Sequence, residues 1–574
     1  MPFYFAGRSY LTPTIVSSIN ESALADTAVA LSDNLAIIAD CPHGQPGVVM
    51  EFASPSDAAA VLVSGEALTA VQRAFDPSAE TGGPSTVYFV RVGQATQSTG
   101  TLLDANAVVA MNLATTDYGI QSVGAQIKVQ AGTSKGRKIT VKQNGVTYTG
   151  DNLYLAPLSI KYTGVGSTPR VQVNVGDVTL RVSGNVVATL PFTQYSTVQA
   201  LVDAINAVPD FAAVVGTGQG SATTAALFDI TTNVDVTNSV DLTAINTAVA
   251  AWINSAQEPT IMNATMVYGA GAIAVGTTFT VLTGGTSPAV SNQDWSNAFD
   301  LLQTADVQWI VPLSSAASIH AMASAHVDFM STVGRAERRA LCGMALATAD
   351  SAAIAEALTL NDDRVSLIHL GVYDFDQSGN LTLYPPYILA AQAAGALAGL
   401  PPGTALTNKT MKCQGFERLL KNPTDTDNLI AGGVMPFHKS RRGFVCTMSI
   451  STWLANTNIN RVQINTGTAL DYTVRALRDS LEDEVGKNGG PLLLGEVLSR
   501  IDTVLKQLAT PNPIGPGVLV GDDTSPAYKG FTATITLDAI IVQGQVSPVI
   551  ATNYIGIVVN AVPYSGTASA SSSN

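Results

Sequence analysis

Charge is scarce in this chain. Asp, Glu, Lys and Arg make up only 13% of its 574 residues, about half the roughly 25% usual for a soluble domain. Positive charge is scarcer still: 29 Lys and Arg stand against 43 Asp and Glu, for a net charge of −14. A basic nucleic-acid-binding surface is thereby excluded as the organising feature, because phosphate neutralisation needs clustered positive charge. An acidic substrate or an anionic membrane surface is a poor partner for the molecule as a whole. Cysteine is limited to Cys41, Cys342, Cys413 and Cys446, with no pair at metal-ligand or redox spacing. Four scattered cysteines predict buried thiols and a reducing compartment. The longest charge-free apolar stretch, Leu383 to Leu400, opens with Pro385-Pro386 and is rich in Ala and Gly. Its uninterrupted part is shorter than the roughly 20 residues of a spanning helix, so it reads as a buried helix and no membrane insertion is expected. The opening MPFYFAGRSYLTP has no charged region followed by an apolar one, so no signal peptide is read and synthesis in the cytoplasm follows.

What is present is apolar. Hydrophobic residues reach 46%, glycines number 49 and the mean hydropathy is +0.25. Disorder is excluded by that content, and the length permits several domains. A folded protein with so little charge fits a surface largely covered by copies of itself. An ordinary Gly/Ala/Thr-rich multidomain protein fits the composition equally well.

Periodicity divides the chain. Residues 1–20 read as an extended N-terminal arm. Residues 21–105 read as strand, helix, strand: an apolar strand at Leu35 to Ala39, one helix over Ser56 to Phe75, and a β-prone strand at Val87 to Val92. Residues 106–284 alternate with a period of two, with a hairpin signal at Asn144-Gly145, a turn at Ser183-Gly184-Asn185 and one helix over Tyr195 to Val208, which predicts a mostly β domain. Residues 285–405 alternate helices with the strands VQWIV, RALCGMA and VSLIHL, the pattern of an α/β domain with parallel strands. Residues 406–545 carry two helical apolar stripes, Leu470 to Val485 and Leu494 to Leu508, then an alternating strand through Phe531, Ala533, Ile535 and Leu537. A Gly-Gln-Val-Ser-Pro break follows, and 546–574 read as a terminal strand, Tyr554 to Val562, with a disordered Ser/Ala/Gly tail. The fold class expected is α/β plus mostly β, multidomain.

Catalytic constellations are poor. Of the histidines His43, His320, His326, His369 and His438, the pair His320/His326 is six apart, which does not share a helical face as a zinc-binding i, i+4 pair does. Gly132-Thr133-Ser134-Lys135-Gly136 fits a nucleophile-elbow pattern but lies between two strands, so it reads as a hairpin loop. Asp374, Asp376, Ser378 and Gly379 match the first half of a calcium loop, yet Pro385 stands where a bidentate Glu is needed. Gly216 to Gly220 follows a helix rather than opening one, so it cannot cradle phosphate. No catalytic residue, metal site or cofactor is expected. One charge feature stands out: Lys409, Lys412, Arg418, Lys421, Lys439, Arg441 and Arg442 against Glu417, Asp425 and Asp427, a local excess of four positive charges. It reads either as a solvated face or as a patch that grips an acidic partner.

An ordered set of stretches resembles the contractile tail sheath proteins of long-tailed bacteriophages. These are VYFVRVG ending at Gly93, DYGIQSVGAQIKVQAGTSKGRKITV (Asp117 to Val141), Thr283-Gly284-Gly285-Thr286 with Asp294-Trp295 and VQWIVPL, Leu360 to Val365, AAQAAGALAGLPPGTALTNKTM (Ala390 to Met411), Gly415-Phe416-Glu417 and LIAGGVMPF. The opening arm departs from the P-G-V-Y-V-E type common in that family. The resemblance implies a non-catalytic, subtilisin-like α/β domain with an inserted β-rich domain, and an α+β C-terminal domain facing the tail tube with exchanged terminal strands. It also implies a helical homo-oligomer around the tube protein, contacts with baseplate and tail terminator proteins, no direct nucleic acid, and a place in the virion tail. On that basis Phe3, Phe5, Ile15, Ile555, Ile557 and Val559 are candidates for inter-subunit strands. The seven basic residues from Lys409 to Arg442 are candidates for tube contact. The rival readings are a static tail or surface protein, and an α/β hydrolase-like enzyme with β accessory domains.

Overall fold

The computed structural model describes residues 3–5, 8–10, 33–561 and 566. A six-stranded sheet forms its α/β body, with spatial order Val365–Ile368, Arg339–Gly343, Trp309–Pro312, Leu35–Ala39, Val87–Arg91 and Val49–Phe52. All neighbours are parallel except the last pair. Strands such as LAIIA and VSLI are buried along their whole length, as a parallel sheet covered on both faces requires. The expected α/β alternation is therefore present, with one antiparallel edge strand added.

The stretch read as a buried helix is one. Pro386–Ala398 starts with Pro at its first turn and buries every residue but Tyr387, packing on the helix Glu66–Phe75 and the central strands. Its Gly395 is required: a Cβ there would stand 2.2 Å from the backbone oxygen of Ala74. The single helix expected over Ser56 to Phe75 is two, Pro55–Leu62 and Glu66–Phe75. Gly65, at φ +98°, takes a backbone region closed to ordinary residues and breaks the run.

The β insertion is two nested units rather than one. An outer unit joins the strands Gln126–Ala131, Arg137–Gln143 and Val146–Leu153 to Thr280–Val281, and Thr99–Leu103 and Val109–Thr115 to Met262–Met266. Its core includes Met111, Ile127, Val141 and the helix Ile245–Ser255, a second helix that the strand-like composition of the insertion hid. Within it sits an inner unit of residues 156–243 with a separate core around Ile160, Val171, Leu180 and Leu201. Where the chain enters and leaves the inner unit, Ala244 N donates to Leu155 O at 2.8 Å. Asn144 and Gly145, at φ 47° and 84°, make the tight hairpin turn their sequence predicts.

The C-terminal part differs from expectation in three places. Residues from Leu406 to Ile464 bury their apolar side chains in the α/β core, so the division between apolar cores falls after Ile464, not after residue 405. The separate C-terminal core is built from the helices Ile464–Leu481 and Pro491–Ala509 with Val518 and Leu519. The strand read through Phe531 to Leu537 is only the first arm of a long hairpin, Tyr528–Thr536 with Ala539–Val546, whose second arm runs through Gly544 and Gln545 and so reaches into the Gly-Gln-Val-Ser-Pro stretch expected to break the chain. The strand expected at Tyr554 to Val562 is absent over the described residues 551–561. A strand exists only with a hydrogen-bonding partner, and the described residues offer that segment none. At the other end, Phe3–Phe5 pairs antiparallel with Arg8–Tyr10, a short hairpin rather than a fully extended arm. Ile15 and nearly all of the tail from 562 onward lie outside the described residues.

Candidate assembly surfaces

The motifs that hinted at catalysis resolve into turns. Ser134 sits in a hairpin loop, where its amide and hydroxyl donate to Asn152 Oδ1 at 2.8 and 3.1 Å. Asp376 caps the turn between Val372–Phe375 and Leu381–Tyr384 by accepting from the Ser378 and Asn380 amides. The histidines are engaged within the fold: His320 between Glu356 and the Ser314 carbonyl, His369 by Asp350 and Arg418, His438 by Asn422 and Thr447. His43 lies 3.5 Å from Asp117. Burial first, and the charge of Arg338 second, push His326 down to about 4. Among the described residues, no group of three or more His, Cys, Asp or Glu has metal-holding geometry. No helix among them is long and apolar enough to cross a membrane.

The basic run is partly neutralised by the fold. Lys412 pairs with Asp76 and Arg418 with Asp350, while Arg442 meets Glu80 at 2.6 Å. Asp76 and Glu80 follow the helix Glu66–Phe75, far back in the chain. Lys439 lies over the Phe444 ring at 5.6 Å. Among the described residues no acidic side chain pairs with Lys409, Lys421, Lys439 or Arg441. Lys439 and Arg441 are exposed on the hairpin Phe437–Ser440/Gly443–Cys446. So three of the seven candidates are paired with acids within the fold, and four are not.

The candidates at the C-terminus are exposed. Val520 N donates to Ser547 O and Val549 N to Val518 O, both at 2.9 Å, which ties the chain down as far as Val549. Beyond it Ile555, Ile557 and Val559 are 81%, 81% and 83% exposed. Nearby, the hairpin Tyr528–Thr536/Ala539–Val546 is a sheet of only two strands. It overhangs a cleft of about 550 Å³ lined by Leu481, Leu493, Val497, Ile535 and Ile540 among others. Phe3 and Phe5 lie in the N-terminal hairpin.

A set of charges between the two cores leaves no local pattern in the sequence. Arg339 and Arg364 both donate to Asp471, Arg475 faces Asp33, and Arg478 holds Glu337. Burial opposes the Asp471 carboxylate, but the fields of Arg339 and Arg364 outweigh it and hold its pKa below the ordinary value. For Asp33 burial wins over Arg475 and the Trp309 indole, and its pKa is raised. The only sequence signal for these groups is that they are charged in a chain with so few charges.

Comparison with known proteins covers the whole chain. No family model matches it. It is 26% identical over 586 aligned residues to a tail sheath protein of Bacillus phage SP01, covering 98% of this chain and 97% of that one. It is 24% identical over 510 residues to a putative tail sheath protein of Enterococcus phage phiEF24C, covering 83% and 86% of the two chains. In fold it is similar to the sheath tail protein of Listeria innocua, with a TM-score of 0.54 at 13% identity over 92% of this chain and 94% of that one. The sheath tail protein of Desulfitobacterium hafniense gives a TM-score of 0.50 at 12% identity over 93% and 100%. The resemblance to the tail sheath proteins of long-tailed bacteriophages, first read from short stretches, therefore holds along the whole chain in sequence and in fold.

Proposed function

We propose that this chain is a structural, non-enzymatic subunit of a contractile bacteriophage tail sheath. Copies polymerise as a helix around the tail tube in the virion and contract to drive the tube through the host envelope during genome delivery. The observation that carries this reading is the near-complete coverage of relatives named tail sheath protein, supported by the shared fold. The α/β body takes the part of the family's subtilisin-like domain without its catalysis, because a fold does not bring an activity with it. No cofactor or nucleic acid enters the mechanism, and the subunit is made in the host cytoplasm.

Helical polymers need heterologous contacts that do not close. Strand addition supplies such contacts: backbone hydrogen bonds join subunits while the segments between them bend. Ile555, Ile557 and Val559 alternate along an exposed segment that has no strand partner among the described residues, and the edges of the 528–546 hairpin are likewise unpaired among them. A two-stranded hairpin is only marginally stable alone, so an added strand benefits both chains. Phe3, Phe5 and Ile15 are the corresponding N-terminal candidates, after opening of the short hairpin. The tube grip falls mainly to Lys409, Lys421, Lys439 and Arg441, since Lys412, Arg418 and Arg442 are already paired. Exposed charge contacts are individually weak and salt-screened, which suits a grip that contraction must break. Baseplate and terminator proteins are the partners at the two ends of the helix.

The test is microscopy of the purified full-length chain. Tubes assembled without tube protein are expected, and removal of residues 554–574 should leave folded monomers that no longer polymerise. Discrete monomers from the intact chain at high concentration would overturn the assembly reading. Tubes from the truncated chain would overturn strand addition by the C-terminus.

A further inference from the structure

The α/β body and the C-terminal unit meet through charges. Ile464 belongs to the apolar cluster of the body, whereas Ala469, Tyr472 and Ala476 of the same helix belong to the other cluster. Toward the body that helix presents Asp471, Arg475 and Arg478. Asp471 Oδ2 accepts from Arg339 Nε at 2.9 Å and from Arg364 Nη1 at 3.2 Å, and its Oδ1 accepts from Arg364 Nη2 at 3.1 Å. Arg475 lies 3.5 Å from Asp33, which also accepts from the Trp309 indole at 3.0 Å. Arg478 holds Glu337 with two hydrogen bonds, at 2.5 and 3.2 Å. Seven charged groups thus face one another, and each pair joins one body to the other. The helix approaches so closely that a Cβ on Gly467 would stand 2.2 Å from the Arg339 guanidinium. A cleft of about 460 Å³, lined by Glu337, Arg339, Arg364, Arg461 and Asp471 among others, opens into the seam. Also across it, Arg478 Nη1 donates to the Arg335 carbonyl at 2.5 Å and Gly403 N to Thr468 Oγ1 at 3.3 Å, with Ala469, Val518 and Val549 beneath Gly403.

Such a seam behaves differently from an apolar interface. Buried ion pairs give directional fit, yet against their desolvation they add little net stability. Taking away one partner strands the other without water, which is strongly unfavourable. Here that strain has an outlet short of unfolding. The C-terminal unit keeps its own core through Leu493, Val497, Ile501, Leu505 and Leu508, and parting the seam rehydrates its charges.

We propose that this seam is an electrostatic latch: closed, it fixes the C-terminal unit on the α/β body, and open, it frees that unit to move as a body with both apolar cores intact. The inference goes beyond the sheath reading and does not rest on it. Within a sheath it places a joint inside the subunit, in addition to the links between subunits.

The test reads the distance between the two bodies in the full-length chain. Spin labels go on Leu358→Cys in the body and Leu492→Cys in the C-terminal unit, both exposed, in a Cys413→Ser background diluted with unlabelled protein. One narrow distance is expected for the parent. Asp471→Asn, or the milder Arg478→Glu, should add a longer, broad population, shifting the closed-to-open ratio at least about tenfold. The reciprocal pair Glu337→Arg with Arg478→Glu should restore the narrow distance. An unchanged distance in folded Asp471→Asn and Arg478→Glu proteins would overturn the latch. So would loss of thermal cooperativity in both cores together, since the seam would then belong to a single folding unit.

Discussion

A guanidinium nitrogen of Arg338 lies 3.0 Å from Nε2 of His326. A guanidinium can only donate, so the ring accepts and stays neutral. Arg338 is 1% exposed and also donates to the carbonyls of Leu302 and Ala305 at 2.8 and 2.6 Å, which leaves it little freedom to move away from a protonated ring. Burial first, and the Arg338 charge second, lower the His326 pKa from 6.5 to about 4. The unfolded chain therefore binds this proton at a higher pH than the folded one. The stability from a neutral His326 is complete above about pH 6.5 and is lost as pH falls toward 4, by about 3 kcal/mol over that window. Urea titrations of the α/β body at pH 7.5 and 4.5, followed by tryptophan fluorescence, should show this loss. His326→Gln should show a smaller one. Parallel losses in the two proteins would assign the acid sensitivity to other groups.

The helix pair that carries Gly395 predicts a contrast between two glycines. At Gly395 an added methyl meets the Ala74 backbone, which cannot swing aside, so the two helices must separate. Gly395→Ala should cost about 3 kcal/mol, at the upper end of overpacking effects. Gly495 lies inside the helix Pro491–Ala509 with nothing within 4 Å of its would-be Cβ. There Gly495→Ala should stabilise by about 0.5–1 kcal/mol through helix propensity alone. Thermal unfolding of the two variants should move in opposite directions; a fall in both would refute the open surface at Gly495.

The thiols should differ in reactivity. Cys342 and Cys446 are fully buried, and burial raises both pKa values. Cys41 is pushed up to about 12 by the same cause. Cys413 is also raised to about 12 by burial, but it is the one cysteine that is partly exposed. An aromatic disulfide reagent at pH 8 should modify Cys413 first and slowly, and the rest only on unfolding. Rapid modification of Cys342 in native protein would contradict the packing of the central sheet.

Much of this architecture is legible in the residues, and the gaps have physical causes. Runs such as LAIIA and VSLI announce a parallel sheet because strands buried on both faces need no alternation. Asn144-Gly145 announces its hairpin because both positions take positive φ. The hairpin at 528–546 goes unread because its turn uses Leu537 at φ 58°, where glycine or asparagine is the usual signal. The period of Tyr554 to Val562 is visible, yet a strand is a property of two segments and the described residues supply one. The basic run looks freer than it is, because its partners Asp76 and Glu80 stand 336 and 362 residues away from Lys412 and Arg442. The ion pairs of the seam have the same origin, with Arg339 and Asp471 132 residues apart. Charge pairing over such separations follows from topology and leaves no local pattern.

Nesting of the insertion makes a prediction about folding. The inner unit has its own apolar core, with Leu158, Ile160, Val171, Val178, Leu180 and Leu201 fully buried. It hangs from the outer unit where Leu155 and Ala244 are hydrogen-bonded. Ends that meet in this way allow excision, because bridging them costs little loop-closure entropy. Several ties cross the boundary: Asp229 accepts from the Ile245 and Asn246 amides at 2.7 and 3.2 Å at the start of the helix Ile245–Ser255, Tyr154 donates to Asp241 at 2.5 Å, Thr247 Oγ1 donates to Leu227 O at 3.2 Å and Ile230 N to Ala270 O at 3.0 Å. Losing the Asp229 cap alone should cost the outer unit about 1 kcal/mol, and the other ties add to that. A chain with residues 156–243 replaced by a short Gly/Ser linker should therefore fold, destabilised, and the 155–244 fragment should fold by itself. Circular dichroism and the dispersion of amide resonances in the fragment are the measurements. An unfolded fragment together with an insoluble deletion would show that the two cores of the insertion fold only as one.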